Sequence, residues 1–123
     1  APAGLPLVQH ALLSLLDQVQ DSIFSLEKVV EKTCHNPAKR YAIKDRGFIR
    51  EGYFADLVLV DLSARSNVID NNLFYQCQWS AFEDYSFKSK IKTTFVNGVR
   101  VFDNDRLFQG NTPAQSLHFQ RRK

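Results

Sequence analysis

The chain has 123 residues, of which 44% are hydrophobic, and a formal net charge of +3. This length allows one modest domain, and the apolar content excludes a chain that is disordered by composition. The sequence has no run long enough to cross a bilayer and no basic face with interleaved aromatic residues. We therefore expect neither a membrane nor a nucleic acid as a partner.

The first third of the sequence predicts helices. Apolar residues recur at helical spacing from Leu7 to Val19, at Val8, Leu12, Leu15, Leu16 and Val19. This spacing indicates one broad apolar stripe. Pro6 suits the first turn of this helix, where the missing N–H of proline costs nothing.

Two further helices are predicted before residue 47. Ser25 is a typical N-cap for the second helix. Asn36 followed by Pro37 has the pattern of a cap and a first-turn proline, which predicts a third helix from Ala38 to Ile43. Gly47 is expected to adopt the left-handed conformation soon after this helix ends.

Strands are predicted from Asp56 onward. The branched run Leu57–Asp61 is typical of a strand with both faces covered. Apolar residues alternate from Lys90 to Phe95, as in a half-exposed strand. Asn97-Gly98 predicts a two-residue type I′ hairpin turn, Asp103–Asp105 a second turn, and Arg106–Phe108 a short edge.

The stretch from Ser63 to Phe87 predicts an irregular, aromatic-rich loop that contains a strand. Helices precede strands without βαβ alternation, which indicates an α+β chain or two pieces of a larger layered fold. Because the predicted sheet is small and its edges are unpaired, we expect a further segment to cover it.

The two cysteines, Cys34 and Cys77, are far apart and form no CxxC motif. A reducing compartment is therefore expected, which we take to be the cytoplasm. The chain begins with Ala1 and contains no methionine, so we expect a processed or truncated product. The basic residues Arg121–Lys123 are expected to form a solvated end.

The histidines do not predict a metal site. His10, His35 and His118 are widely spaced, and the adjacent pair Cys34-His35 would point in different directions. We expect His10 to be a packed core histidine and Cys34 a buried structural cysteine.

The carboxylates and glycines around the first strand do not predict a catalytic pair or a phosphate loop. Asp56 and Asp61 flank the strand and are expected to hydrogen-bond the local backbone in turns. Gly47 and Gly52 match no phosphate-binding fingerprint and precede a strand. The residues alone therefore assign no catalytic and no metal-ligating side chain.

The run from His35 to Leu62, HNPAKRYAIKDRGFIREGYFADLVLVDL, resembles the C-terminal part of the amidohydrolase superfamily. Its members share a pattern that Gly47, Ile49, Gly52 and Ala55–Val58 match, in which the chain leaves a (β/α)8 barrel for a small β-domain. The segment Thr94–Phe102 is similar to the closing hairpin of this family.

Two further stretches resemble the dihydroorotase branch of the superfamily. Trp79–Gly98 is similar to its element before the closing hairpin, with Ala81 and Asp84 in place of the usual proline and glycine. Ala1–Leu16 is similar to the loop after the eighth barrel strand and the helix that follows it.

The resemblance implies the fold of the parent protein. Residues 1–46 are expected to supply the last helices of a (β/α)8 TIM barrel, residues 47–110 strands of a small composite β-sandwich domain, and residues 111–123 a tail. As given, the chain is expected to be α+β, and the glycine-punctuated stretch from Gly47 is the joint between barrel and β-domain.

The resemblance also implies an activity for the parent. Dihydroorotases interconvert N-carbamoyl-L-aspartate and dihydroorotate in pyrimidine biosynthesis with the help of metal ions, usually zinc. Their metal ligands and catalytic aspartate precede the part that this chain resembles, so the segment alone is expected to be inactive. Ala3 and Gly4 match the loop that contacts the substrate ring, although Gly4 could equally serve to permit the turn into the helix.

The expected partners are the N-terminal remainder of the same protein, a small-molecule substrate and, as one alternative, a second copy in a homodimer. Other functions stay open: a dihydropyrimidinase- or allantoinase-type cyclic amidohydrolase, or a non-catalytic amidohydrolase-like interaction module. A small zinc or redox protein using Cys34 and Cys77 is a third alternative.

Overall fold

The computed structural model describes residues 4–69, 72–108, 110 and 113–120, and it is α+β as expected. The chain separates into two compact units. Unit 1 contains the described residues of 1–24 and 60–90, and unit 2 those of 25–59 and 91–123. The predicted boundaries after residues 46 and 110 concern the parent protein and stay predictions. The basic end Arg121–Lys123 lies outside the described residues.

Unit 1 is built on helix α1, Ala11–Gln20, and on the antiparallel pair β2, Ser66–Asn67, and β3, Ser86–Phe87. Its buried apolar side chains are Leu13, Leu16, Val68 and Phe87. The predicted start of the helix near Leu7 is wrong. A turn precedes α1, in which the His10 N–H donates to the Leu7 carbonyl at 3.0 Å, so Pro6 does not occupy the first helical turn.

The predicted apolar stripe of α1 also differs from the buried one. The buried side chains are His10, Leu13, Leu16 and Asp17, whereas Val8 is 85% exposed. They follow helical spacing, but the stripe is rotated from the predicted face. The reason is tertiary: α1 contacts β3, whose Phe87 is fully buried.

The described part of the stretch from Ser63 to Phe87 is irregular, as predicted, but it contains two short strands, β2 and β3, where one was expected. Two backbone hydrogen bonds tie it together: the Val68 N–H donates to the Tyr85 carbonyl at 2.9 Å, and the Asp84 N–H to the Val68 carbonyl at 3.2 Å. Asp84 has a φ of 61°. This left-handed conformation gives a physical reason for glycine at the same position in the family pattern.

The helices of unit 2 run on from one another: α2, Leu26–Val30, a π-helical turn, Glu31–His35, and α3, Asn36–Arg40. Ser25 caps α2 as predicted, since its Oγ accepts from the Lys28 N–H at 3.2 Å. Asn36 is not a cap, because its backbone is helical and its side chain donates to Glu31 at 3.2 Å. Pro37 has no N–H and its ring crowds an α-helical carbonyl, a conflict that the wider π turn relieves.

The third helix ends earlier than Ile43. Ala42 has a φ of 51°, its N–H donates to the Lys39 carbonyl at 3.2 Å, and the Ile43 N–H donates to the Ala38 carbonyl at 2.9 Å. This is a Schellman termination, in which a left-handed residue closes the helix. The prediction for Gly47 is confirmed, since its φ is 79°.

The larger sheet belongs to unit 2 except at the ends of two strands, and its order is β1-β4-β5-β6. The strands are β1 Leu57–Asp61, β4 Lys90–Val96, β5 Val99–Asp103 and β6 Arg106–Leu107. The type I′ turn is confirmed by φ values of 49° at Asn97 and 80° at Gly98. Asn104 and Asp105, with φ of 44° and 67°, form the second predicted turn.

Strand β1 has the predicted bounds, but its faces are not both covered. Val58 is 44% exposed and Leu59 51%, and since successive strand residues point to opposite faces, neither face is fully covered at this edge strand. Among the described residues of unit 2, the buried apolar side chains are Val29 and Ala38. Unit 2 therefore leaves much of its apolar surface exposed.

Candidate functional site

The residues ahead of α1, which we call the leading segment, are 4–10. Gly4 is exposed, and a Cβ placed on it would have no described heavy atom within 4 Å. Its φ lies outside the left-handed region, so the turn towards α1 does not demand glycine there. Ala3 lies outside the described residues, and contact of either residue with a substrate stays a prediction.

Gln9 fixes the leading segment to the loop at residues 72–75. Its side-chain amide donates to the Asn72 carbonyl at 2.7 Å, and its carbonyl oxygen accepts from the Phe74 N–H at 2.8 Å. Its backbone N–H donates to the Tyr75 hydroxyl at 2.8 Å. Gln9 thus supplies the hydrogen bonds that a strand partner would otherwise supply.

His10, the next residue, is buried among aromatic rings. It stacks on Phe87 at a centroid distance of 5.7 Å and meets Tyr75 and Phe82 edge-on at 6.0 and 5.9 Å. Its Nδ1 lies 3.3 Å from the Ser80 hydroxyl. Burial lowers the pKa of His10, because the charged imidazolium would lose its hydration. The expectation of a packed core histidine is confirmed.

Asp17 is a buried carboxylate that holds the end of the irregular segment. It accepts from the Lys88 N–H at 2.8 Å and from the Tyr85 hydroxyl at 3.0 Å. The hydrogen bond to Asp17, followed by the Asp17 charge, raises the pKa of the Tyr85 hydroxyl. The hydrogen bond to Asp21 raises the pKa of the Lys88 ammonium.

Gln20 repeats the role of Gln9 at the other end of α1. Its side-chain amide donates to the Leu62 carbonyl at 2.6 Å and to the Lys88 carbonyl at 2.9 Å. Three polar side chains on or next to one helix, Gln9, Asp17 and Gln20, therefore satisfy backbone groups of a loop that forms little sheet of its own.

The carboxylates around β1 have the structural roles that the sequence predicts. Asp61 accepts from the Ser63 and Ala64 N–H groups at 2.9 and 3.1 Å. Asp56 accepts from the Asn97 N–H at 2.8 Å and pairs with Arg46. These contacts fix turns and are not a catalytic pair.

The cysteines and remaining histidines are not brought together as a site. Cys34 lies in the π turn and is exposed, so the expectation of a buried cysteine is wrong. Cys77 is an exposed free thiol. His35 stacks on Phe48 at 4.3 Å, and the His118 carbonyl accepts from the Lys44 N–H at 2.8 Å.

In the part of the chain that the structure describes, no three His, Cys, Asp or Glu side chains lie close enough to hold a metal ion. None of the described helices has the length and apolar character of a membrane span. What the arrangement in unit 1 can do is to hold the leading segment in one position. Sequence reasoning missed Gln9, Asp17 and Gln20, although a polar residue amid helically spaced leucines, as Asp17 is, signals a buried hydrogen bond.

Comparison with known proteins identifies the family. The profile of the Amidohydrolase family matches residues 6–101. A dihydroorotase of Halobacterium salinarum is 34% identical over 94% of the chain, covering 28% of its own length. An allantoinase of Solibacter usitatus is 32% identical over 85% of the chain and 23% of its own length.

A solved structure of a D-hydantoinase superposes with a TM-score of 0.76 at 25% identity, over 86% of this chain and 23% of the other. The chain thus spans about a quarter of the length of the proteins it matches. Since the family match extends over most of the sequence, from Pro6 into strand β5, the chain belongs to the amidohydrolase family.

Proposed function

We propose that this chain is the C-terminal part of a dihydroorotase, the metal-dependent hydrolase that interconverts N-carbamoyl-L-aspartate and dihydroorotate. The observation that carries the proposal is the match to a dihydroorotase over 94% of the chain at 34% identity. The sequence patterns Trp79–Gly98 and Ala1–Leu16 support the same branch of the family.

The exposed apolar surface supports the proposal that further polypeptide covers this chain. Val8 and Ile49 are 85% and 88% exposed, and the edge strand β1 leaves Val58 and Leu59 open. Leaving large apolar side chains in water costs free energy, so further polypeptide that covered them would stabilise the protein. We infer that helices and strands of a TIM barrel and a β-sandwich domain cover them.

The proposed enzyme would carry its zinc outside the described residues. The side chains described here do not fit a metal site, so we place the ligands in the remainder of the polypeptide and derive no step from them. When bound, the metal supplies an activated water and polarises the ring amide. The contribution of this chain is to hold the leading segment, so that Gly4 and the Ala3 that precedes it would contact the ring.

The proposal is tested with two proteins: the full-length polypeptide that carries this segment, and the 123-residue chain alone. Both are assayed for hydrolysis of dihydroorotate and for cyclisation of N-carbamoyl-L-aspartate. We expect turnover by the full-length protein and none by the 123-residue chain, because the chain lacks metal ligands in its described part. Turnover of dihydroorotate by the short chain would contradict the proposal.

One observation favours allantoin and related cyclic amides as alternative substrates. The allantoinase match has an identity of 32%, close to that of the dihydroorotase. Allantoin, hydantoin and dihydrouracil are therefore assayed beside dihydroorotate with the full-length protein. A higher kcat/KM for any of these three would replace the dihydroorotase assignment and keep the broader one of a cyclic amidohydrolase.

A further inference from the structure

We propose that Gln9 is a positioning residue for substrate binding, an inference that rests on the proposed function. It acts by fixing the leading segment, which carries Gly4, against the loop at residues 72–75. Gln9 itself contacts no substrate in this proposal. Its effect is exerted through the backbone that leads back to Gly4.

The contacts of Gln9 join two stretches more than sixty residues apart. Its side chain both donates, to the Asn72 carbonyl at 2.7 Å, and accepts, from the Phe74 N–H at 2.8 Å. An amide that is bonded at both ends to backbone groups has one orientation. The backbone of Gln9 is held as well, because its N–H donates to the Tyr75 hydroxyl at 2.8 Å.

The backbone between Gln9 and Gly4 is short and stiff enough to transmit this position. Pro6 lies between them, and its ring locks one of the backbone dihedrals. The Leu7 carbonyl accepts from the His10 N–H at 3.0 Å, and His10 is held in its aromatic site. Movement at Gln9 therefore displaces Gly4, rather than being absorbed by a long flexible loop.

The chain offers a matched control in Gln20. It is the same residue type, and its side chain also makes two hydrogen bonds to backbone groups of unit 1, the carbonyls of Leu62 and Lys88. It differs in that it lies at the opposite end of α1 from the leading segment. If removing either glutamine side chain only loosens the packing of unit 1, replacements of Gln9 and Gln20 should have the same effect on substrate binding. If Gln9 positions the leading segment, only its replacement should weaken substrate binding.

The experiment measures kcat and KM for dihydroorotate in the full-length protein and in its Gln9→Ala and Gln20→Ala variants. For Gln9→Ala we expect KM to rise by up to about tenfold, because losing two hydrogen bonds to the loop lowers the fraction of molecules in which the leading segment is held in its binding position. We expect kcat to change less than about twofold, because the reacting groups are untouched. Gln20→Ala should lower thermal stability while leaving both constants near the parent values.

A Gln9→Met variant covers the case in which Gln9→Ala does not fold. A methionine is close to glutamine in size and carries no charge, but it can neither donate to the Asn72 carbonyl nor replace the amide oxygen as acceptor for the Phe74 N–H, so KM should rise about as far as in the alanine variant. An unchanged KM in the Gln9 variants, or an equal rise in the Gln20 variant, overturns the positioning role. If the parent enzyme turns over no cyclic amide, the proposed function itself fails, and this role fails with it.

Discussion

Gly47 follows the helical run of unit 2, and the replacement Gly47→Ala tests how closely the chain packs there. Its φ of 79° is in the left-handed region. A Cβ at this position would lie 2.5 Å from the Ala38 Cβ and 2.8 Å from the Cys34 carbonyl oxygen. Both neighbours belong to helical backbone or sit directly on it, so neither can turn away as a flexible side chain could.

Two costs add in this variant. A left-handed backbone costs a non-glycine residue about 1–2 kcal/mol, and overpacking typically costs a further 1–3 kcal/mol or so. We therefore expect Gly47→Ala to lower the free energy of unfolding by about 2–5 kcal/mol. Gly52 provides the control, because its φ is 82° and a Cβ added to it would meet no described heavy atom within 4 Å.

The free energy of unfolding is measured by urea unfolding, followed by circular dichroism, for the unaltered chain and for its Gly47→Ala and Gly52→Ala variants. The control carries the left-handed cost alone, about 1–2 kcal/mol, so the difference between the two variants isolates the steric clash. In the background of Ala38→Gly, which removes one of the two clashing atoms, Gly47→Ala should cost less than it does in the unaltered chain. Equal destabilisation by the two glycine replacements would refute the close packing of Gly47 on the helix.

Three further outcomes follow from the buried polar groups of unit 1. Asp17→Ala should lower the free energy of unfolding by about 2–4 kcal/mol, because it leaves the Lys88 N–H without its acceptor; urea unfolding measures this, and a loss below 1 kcal/mol or so would contradict it. Asp17→Asn should lower the pKa of Tyr85, measured by phenolate absorbance, because the charged acceptor that raises it is gone; an unmoved titration would argue against the contact. The pKa of His10 is lowered from 6.5 in the folded chain, so as pH falls below that value the unfolded chain takes up the proton first. Melting temperature should thus decline from that pH downward and level off below the folded pKa, and His10→Gln should remove this decline; an equally steep decline in that variant would refute it.

The elements that depend on local chemistry are predictable from the sequence. The Ser25 cap, the Asn97-Gly98 turn and the left-handed Gly47 are each set by one or two residues whose conformational preferences are strong. Strand β1 is predicted with its observed bounds because a short branched run leaves few alternatives. In these cases neighbouring residues suffice to determine the conformation.

The elements that depend on distant partners are not predictable in the same way. The buried face of α1 is set by Phe87 and Tyr85, which lie far along the chain. The helix starts at Ala11 rather than near Leu7 because Gln9 and His10 are engaged by the loop at 72–87. A single sequence does not specify which of several apolar stripes on α1 will pack against residues so far along the chain.

The candidate site shows the same division. Ala3 and Gly4 are predicted to contact substrate through a resemblance to a family, whereas the residues that support them have no such signal. Gln9 belongs to no motif that the sequence displays, and its importance emerges once the loop at residues 72–75 is seen beside it. Supporting hydrogen bonds to backbone groups leave little trace in sequence, because backbone N–H and C=O groups are not specific to any residue type.

The discontinuous make-up of unit 1 has a consequence for biosynthesis. Its two stretches, up to residue 24 and from residue 60 to 90, are separated by part of unit 2. A ribosome adding about 5–20 residues per second needs several seconds to deliver the second stretch after the first. During that interval α1 lacks its contact with β3, so the side of the helix that β3 covers stays open to chaperones and to aggregation until the second stretch is synthesised.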